Sequence, residues 1–435
     1  MPKHDSPPAR GNAAPARITK RQLEALSEVL LQVLSFRYPA DQVLSRFFRA
    51  NKQLGGGDRR FIAESVYTGL RHYYWVKAML AGETSPRRFG LAVLLGPRGF
   101  SVSRLEQLLS PADLRWAREA KGRKAGDALW EQAELPPWIV SALAEQYDDA
   151  TILSLGRALQ QPAPLDLRVN TIKAQRDQVL KQLQADDSSI AAGTLSPTAI
   201  RLPGKPALQR HPLLLEGAIE VQDEGSQLVS LLLDPQAGER VVDFCAGAGG
   251  KTLHIGALMN SKGRIDAYDV SERRLKRLGP RLARSGLSNV RAQAISHERD
   301  SHLKNRLGKA DRVLVDAPCT GLGTIRRNPD LKFRQSEKTL QELTQQQASI
   351  LAAAARLVRP GGRLVYATCS LMHKENQAIV DGFLEQSPSF KRLSVAELLT
   401  AKGIDLDTGE DLVLLPHEHS CDGFYAAVLE RQSDE

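Results

Sequence analysis

Long apolar runs are missing from this 435-residue chain. No stretch approaches the roughly 18 apolar residues of a membrane-spanning helix, so no membrane partner is expected. An apolar leader is missing too: residues 1–17 mix Pro, Lys, Arg, Ala and Gly, which predicts a disordered basic tail and no secretory signal. Cysteine is sparse, with four residues at 245, 319, 369 and 421 and no CxxC spacing. That excludes a small-domain disulfide scaffold, suggests no metal site, and predicts a reduced, cytoplasmic setting. Acidic excess is absent as well. Lys and Arg number 59 against 50 acidic residues, and the formal charge of +9 favours an acidic partner such as a nucleic acid.

What is present divides the chain by pattern. Over 19–146 apolar residues recur every three or four positions, as in Leu23, Leu26, Val29, Leu30 and Val33, and again in Ile62, Val66, Leu70 and Tyr73. That spacing predicts helices throughout. Gly55-Gly56-Gly57 reads as a loop with Asp58 as the helix cap, and Arg59, Arg60, Arg71 and His72 supply a basic face for RNA or for solvent. After Pro162 and Pro164 comes a small α+β pattern, with strands near 166–172, 199–202 and 219–221 and a helix around 178–183. Arg168 and Asn170 alternate there with Leu167 and Val169, which puts them on a solvent-facing side of the sheet as candidate contacts to a phosphate or base edge.

From 222 the rhythm becomes α/β. Strands are predicted at 240–244, 264–269, 290–295, 312–316, 363–367 and 424–429. Helices are predicted from Lys251, over 272–285, and over 340–358 ending at Arg359-Pro360-Gly361-Gly362. Such alternation gives a mostly parallel sheet covered on both faces. The turn after the first strand, Asp243-Phe-Cys-Ala-Gly-Ala-Gly-Gly-Lys-Thr252, fits a phosphate loop poorly, because Cys245 stands where that loop needs glycine. A dinucleotide fingerprint from Gly247 and Gly249 places Thr252 where its third glycine belongs. What remains is a small-residue turn that lets a cofactor approach the backbone, with Asp269 about 20 residues on, where a carboxylate accepts from ribose hydroxyls. Asp243 and Asp269 suit the sulfonium of S-adenosylmethionine better than a polyphosphate.

Two cysteines follow separate apolar strands: Cys319 in Asp316-Ala-Pro-Cys-Thr-Gly321 and Cys369 in Tyr366-Ala-Thr-Cys-Ser370. If the strands are neighbours, their carboxyl ends place both thiols and Asp316 over one crevice. A thiolate added at C6 of cytosine turns C5 into a carbon that attacks a methyl group. One cysteine suffices for addition, and the second is free to help remove the C5 proton or release the product. Asp316 is placed to hydrogen-bond the ring as it takes on charge, while Lys251 either lines the same crevice or salt-bridges its helix. Cys245 and Cys421 read as small buried hydrophobes. Arg326, Arg327, Lys332 and Arg334 follow Cys319 closely and are candidate phosphate contacts beside an extruded base.

Four segments in this order, Ala246 to Thr252, Asp316 to Gly321, Arg326-Arg-Asn-Pro-Asp330 and Tyr366 to Ser370, resemble the RsmB/Nop/Sun family of S-adenosylmethionine-dependent RNA cytosine-C5 methyltransferases, most closely its bacterial ribosomal-RNA branch. The resemblance covers roughly 164–429 and implies a Rossmann-like class I methyltransferase domain over 222–431. Before it come a small α+β RNA-recognition-like subdomain over 161–221 and an all-helical NusB-like RNA-binding domain over 18–160. It also implies that Cys369 is the nucleophile and Cys319 assists product release. S-adenosylmethionine is then held by the turn Cys245, Ala246, Gly247, Ala248, Gly249, Gly250 and Lys251, by Asp269, and by Asp316, which also lies near the target base. A third acidic cofactor contact falls to Ser296 or Asp300. The helical extension favours 16S rRNA or a small-subunit assembly particle as partner of a monomeric enzyme. A tRNA cytosine-C5 methyltransferase, a DNA cytosine methyltransferase, and a non-catalytic RNA-binding ribosome-assembly protein are the competing functions.

Overall fold

The three- and four-residue apolar spacing at the start of the chain becomes helices Lys20–Val33, Ala40–Ala50, Gly56–Arg71, Tyr73–Leu80 and Pro86–Leu95, followed by shorter ones to Leu129–Gln132. In the computed structural model, which describes residues 18–204 and 206–433, two compact units are separated after Glu134. The tail expected over 1–17 lies outside the described residues. Within the first unit Leu26, Val29, Leu30, Leu70, Leu91 and Leu94 are fully buried in one core, each removal from water contributing about 2 kcal/mol. Thr19 caps the first helix in a reciprocal pair with Gln22. Asp58 is not the cap of its helix but sits one turn inside, where its carboxylate accepts from Gly55 N at 3.1 Å. Arg71, expected on a basic face, is buried. Glu134 closes the unit by accepting from Tyr74 N at 2.7 Å and Trp75 N at 2.8 Å, satisfying open donors at a helix start.

Helices Pro137–Leu143 and Asp149–Gln160, read from sequence as the end of the helical domain, belong to the second compact unit. That unit also holds β1 (Leu165–Val169), β2 (Ala191–Ala192), β3 (Ala199–Leu202) and β4 (Ile219–Val221), an antiparallel sheet of order β2-β3-β1-β4. The larger sheet is built from β5 (Arg240–Asp243), β6 (Arg264–Asp269), β7 (Val290–Ala294), β8 (Ala310–Asp316), β9 (Val358–Thr368), β10 (Phe390–Leu393), β11 (Leu412–Leu414) and β12 (Phe424–Arg431). Its order is β10-β12-β9-β8-β5-β6-β7, with β11 paired to β12. Five strands, β7 to β9 across the sheet, are parallel; β12 runs against β9.

Period-two alternation covers both faces, as the continuous apolar strands require. Val313, Val315, Leu364 and Tyr366 pack on Ile350, Leu351 and Ala354 of helix Glu337–Ala355. Leu314, Val365 and Ala367, one residue out of phase, pack with Leu228 and Leu232 of helix Glu224–Leu233 and with Ile255 of helix Gly250–Leu258.

Two helices differ from expectation. The charged helix over 272–285 is broken into Glu272–Leu275 and Leu278–Ser285, because Pro280 has no N–H to continue the ladder from Lys276. The helix expected to reach Val358 stops at Ala355, and Arg359-Pro360-Gly361-Gly362 lies within β9, bonded irregularly to β8. Strands β2, β10 and β11 are too short or too charged to show in the sequence. Among the described residues no helix is long and apolar enough to cross a membrane.

Candidate active site

Parallel strands end on one rim, and helices leaving β5 and β8 pass to opposite faces of the sheet, so a crevice opens between the ends of those two strands. Asp243 ends β5 and Asp316 ends β8. The crevice holds a cleft lined by Cys245, Ala246, Gly247, Ala248, Gly250 and Lys251 of the turn, by both aspartates, and by Gln222, Ser226 and Arg274.

The turn is rigidly held. Ala246 N donates to Tyr268 O at 2.8 Å and Gly247 N to Asp269 Oδ2 at 2.8 Å, so Asp269 braces the turn from the end of β6. Gly249 has φ +81°, and a Cβ there would lie 2.2 Å from Leu278 Cδ1, so the turn needs glycine for its conformation and for its space. Two guanidinium groups fix its carbonyls: Arg281 donates to Ala248 O and Arg168 to Gly250 O, each at 2.7 Å. Asp243 accepts from Thr252 Oγ1 at 2.6 Å through Oδ2, while its buried Oδ1 has no hydrogen-bond partner. Burial pushes the Asp243 carboxyl up to about 7 against the opposing bond from Thr252. An unpaired carboxylate oxygen, a glycine-tight turn and the flanking Asp316 are what a cationic nucleoside cofactor requires. The residues present fit S-adenosylmethionine.

Beside this cleft β8 and β9 pair in register, Asp316 opposite Ala367, and the chains leaving them carry the two sulfurs to a separation of 3.4 Å, Cys319 Sγ to Cys369 Sγ. Both side chains are half-buried. Ala317 N donates to Ala367 O at 2.8 Å and Gly323 N to Cys369 O at 2.9 Å, which ties the loops on either side of the pair. Lys251 Nζ donates to Asp316 Oδ2 at 2.8 Å and lies over the Phe424 ring. Burial opposes the ammonium, but the Asp316 charge and hydrogen bond outweigh it and raise the Lys251 pKa. The Cys319 thiol is pushed well above its ordinary range by its hydrogen bond to Cys369, by burial and by nearby negative charge.

The expected cationic RNA contacts are placed differently. Arg168 and Asn170 are buried, not solvent-facing: Arg168 bonds Gln222 and the glycine turn, and Asn170 Nδ2 donates to Gly217 O at 2.9 Å and Ser285 O at 2.8 Å. The face of β1 read as wet packs against the larger sheet's helices. Arg326 is buried on Asp422 at 2.9 Å, and Arg327 joins Asp422, Asp223 at 2.7 Å and Pro164 O at 3.0 Å. Lys332 is buried with its ammonium over Phe333. Arg334 is exposed and within 3.4 Å of Asp330. Arg326 and Lys332, both buried, and the half-buried Arg327 are engaged by partners within the protein rather than presented to a phosphate.

Neither Ser296 nor Asp300 lines the cleft. Asp300 accepts from Ser296 N and Oγ, each at 2.7 Å, and from His302 N at 3.0 Å, and these bonds hold its carboxyl well below the usual range while closing its own turn. Cys421 is fully buried, whereas Cys245 is half-buried and lines the cleft. Sequence reasoning missed Gln222, Ser226 and Arg274 in the cleft, and Gln347, Glu375 and Asn376 beneath the cysteines. Gln347 Nε2 donates to Pro318 O at 2.9 Å, and Asn376 Nδ2 to Ser370 O at 3.1 Å. The nearness of Glu375 and Asn376 to Cys369 was a signal, but no periodicity distinguishes them from a polar turn.

Residues 230–430 match the family model described as 16S rRNA methyltransferase RsmB/F, and residues 135–209 match the RsmF/B-like ferredoxin-like domain. The chain is 36% identical over 306 residues to the probable ribosomal RNA small subunit methyltransferase B of Synechocystis, covering 70% of this chain and 68% of that one. It is 33% identical over 299 residues to the Bacillus subtilis protein of the same description, covering 68% and 66%. The crystal structure of PH0851 superposes with a TM-score of 0.76 at 27% identity, covering 96% of this chain and 100% of that one.

Proposed function

The chain belongs to the RsmB/F family of 16S rRNA methyltransferases, and from that premise we propose that it transfers a methyl group from S-adenosylmethionine to C5 of a cytosine in small-subunit rRNA through a cysteine adduct at C6. The observation that carries this reading is the 3.4 Å pair of sulfurs at adjacent strand ends, beside the Lys251–Asp316 ion pair and the glycine turn. S-adenosylmethionine, when bound, supplies a methyl group activated by its sulfonium. The turn and Asp243 would hold it, with Asp269 bracing the turn through Gly247 N and Asp316 lining the same cleft.

Cys369 Sγ forms a bond to C6, and the C5–C6 π electrons move toward the ring's N3 and O2, where Asp316, steadied by Lys251, orients the ring as charge develops. C5 takes up the methyl group as the methyl–sulfur bond breaks. A base then takes the C5 proton, the C5–H electrons form the C5=C6 bond as the C6–Sγ bond breaks, and Cys369 leaves as the thiolate; Cys319, once its own proton has passed to solvent, is the group at hand to be that base. Cytosine must leave its stack to reach two half-buried sulfurs, so the substrate is an unpaired or extruded base.

Labelled methyl transfer to total RNA, followed by sequencing for 5-methylcytosine, tests the reading. The expected result is one labelled 16S rRNA position, a loss of at least about a thousandfold with Cys369→Ser, and a trapped protein–RNA adduct with Cys319→Ser. Label confined to tRNA moves the substrate, and undiminished transfer by Cys369→Ser removes the covalent mechanism.

A further inference from the structure

Two thiols in hydrogen-bond contact are chemically alike, and the covalent reading needs one to attack and the other to hold its proton. Their surroundings differ. On the Cys369 side stands the ammonium of Lys251, whose charge interacts with that sulfur. Beneath both sulfur-bearing loops lies Glu375, in the short turn after β9, with no exposed surface. Its carboxylate accepts from Thr320 N at 2.8 Å, from Thr320 Oγ1, from Ser370 Oγ and from Gln347 Nε2 at 2.9 Å. It therefore clasps the residue after Cys319 and the residue after Cys369 at once. It is fully buried and does not line the cleft, so its role is exercised through the sulfur-bearing loops.

We propose that Glu375 is the positioning residue that gives the cysteine pair its polarity: it joins the two sulfur-bearing loops and keeps Cys319 as the S–H donor, leaving Cys369 Sγ as the acceptor and the attacking atom. This rests on the adduct mechanism proposed above. Two of its bonds go to Thr320, directly after Cys319, and Gln347 ties it to Pro318, directly before Cys319, against one bond to Ser370. The fixed carboxylate thus bears chiefly on the Cys319 loop and repels negative charge on that sulfur, while Lys251 attracts it on Cys369. The raised pKa of the Cys319 thiol agrees: its hydrogen bond to Cys369 and its burial oppose ionisation first, and the charges of Cys369 and Glu375 add to them. The other titratable group of β9 facing this point is Tyr366, whose hydroxyl donates to Glu375 O at 2.7 Å and whose burial and neighbouring anions keep it protonated.

Alkylation by iodoacetamide, in which a sulfur displaces iodide, reads the polarity without RNA or cofactor. Peptide mass spectrometry of the intact protein at pH 7.5 is expected to find Cys369 labelled about tenfold or more over Cys319; equal labelling or a preference for Cys319 overturns the proposal. Glu375→Gln, isosteric and uncharged, should lower that ratio about fivefold, and Glu375→Asp, which draws the charge back by one methylene, about twofold. An unchanged ratio in the glutamine variant, or in the aspartate variant should the first not fold, overturns it. Gln347→Leu loosens the same loop but keeps the carboxylate, so its ratio should match the intact protein; a fall as large as that in Glu375→Gln makes the effect one of loop packing and rejects the assignment. If methyl transfer survives Cys369→Ser, the adduct mechanism fails whatever these ratios are; if transfer is lost there but the ratio ignores Glu375, only the present inference fails.

Discussion

The rim above the parallel strands and the seam beneath the smaller sheet carry similar residues to opposite ends. At the rim, Cys319, Cys369, Asp243, Asp316 and Lys251 converge on one crevice. In the seam, Arg168, Asn170, Arg281, Arg284 and Arg327 are consumed by partners in the protein itself: Glu220 takes Arg281 at 2.9 Å and Arg284 at 2.6 Å, and Asp223 takes Arg327 at 2.7 Å. Topology makes the difference. A residue at the carboxyl end of a parallel strand is delivered to the rim by the strand itself, whereas the fate of an arginine depends on which distant carboxylate the fold brings to it. Polar residues at strand ends can therefore be read as chemistry with more security than cations can be read as nucleic-acid contacts.

Arg327 offers the sharpest way to break this contrast. If it is a seam residue, Arg327→Met leaves Asp223 and the nearly buried Asp422 short of a guanidinium and lowers stability by about 3 kcal/mol in urea unfolding. The slope of log K for RNA against log salt should stay as it is. Were Arg327 instead a phosphate contact, stability would hold and that slope would fall by about 0.7 to 1.

Gly323 tests the rim. Its N–H is bonded to Cys369 O, and a Cβ on it would lie 2.2 Å from Gly423 O and 2.7 Å from Gly423 C, backbone atoms that cannot rotate away. Gly323→Ala is expected to cost about 2 kcal/mol of stability and to reduce methyl transfer about a hundredfold by parting the sulfurs. Cofactor affinity should change little, because the glycine turn is anchored independently through Tyr268 and Asp269. A parallel loss of cofactor affinity, measured by calorimetry, makes rim and turn one mechanical unit and removes the distinction.

The same contrast explains what was legible in the sequence. Apolar runs such as Val241-Val242 and Val313-Leu314-Val315 announced buried parallel strands, and the residues directly after them could be placed by counting. The helices of the first unit were equally plain from Leu23, Leu26 and Leu30. Arg168 and Asn170 were misplaced because period two identifies a second face of β1 but not whether that face meets water or, as here, the helices Gly250–Leu258 and Leu278–Ser285. Glu375 and Gln347 were invisible for a related reason: their partners, Thr320 and Pro318, are loop residues whose positions follow only once β8 and β9 are paired. Pro280 did carry a signal for the helix break at Arg277, overridden by the charged periodicity around it.

Asp243 gives the smallest effect and the finest test of the rim as a cofactor site. Its carboxyl, lifted to about 7 by burial, keeps a proton in the folded protein between about pH 4 and 7 that the unfolded chain has released. The sign follows: this group favours folding at acid pH, and its contribution is lost as pH rises through that window. A bound sulfonium acts the other way, because it prefers the ionised carboxylate, so affinity for S-adenosylmethionine should rise with pH. With only the ionised form competent, the gain between pH 6 and 8 is about tenfold. Asp243→Asn should flatten the calorimetric profile over that range, and since its amide keeps an acceptor for Thr252 Oγ1, the turn should remain in place. A profile that keeps its slope in the asparagine variant assigns the titration to another group and leaves the unpaired Oδ1 of Asp243 without a part in cofactor binding.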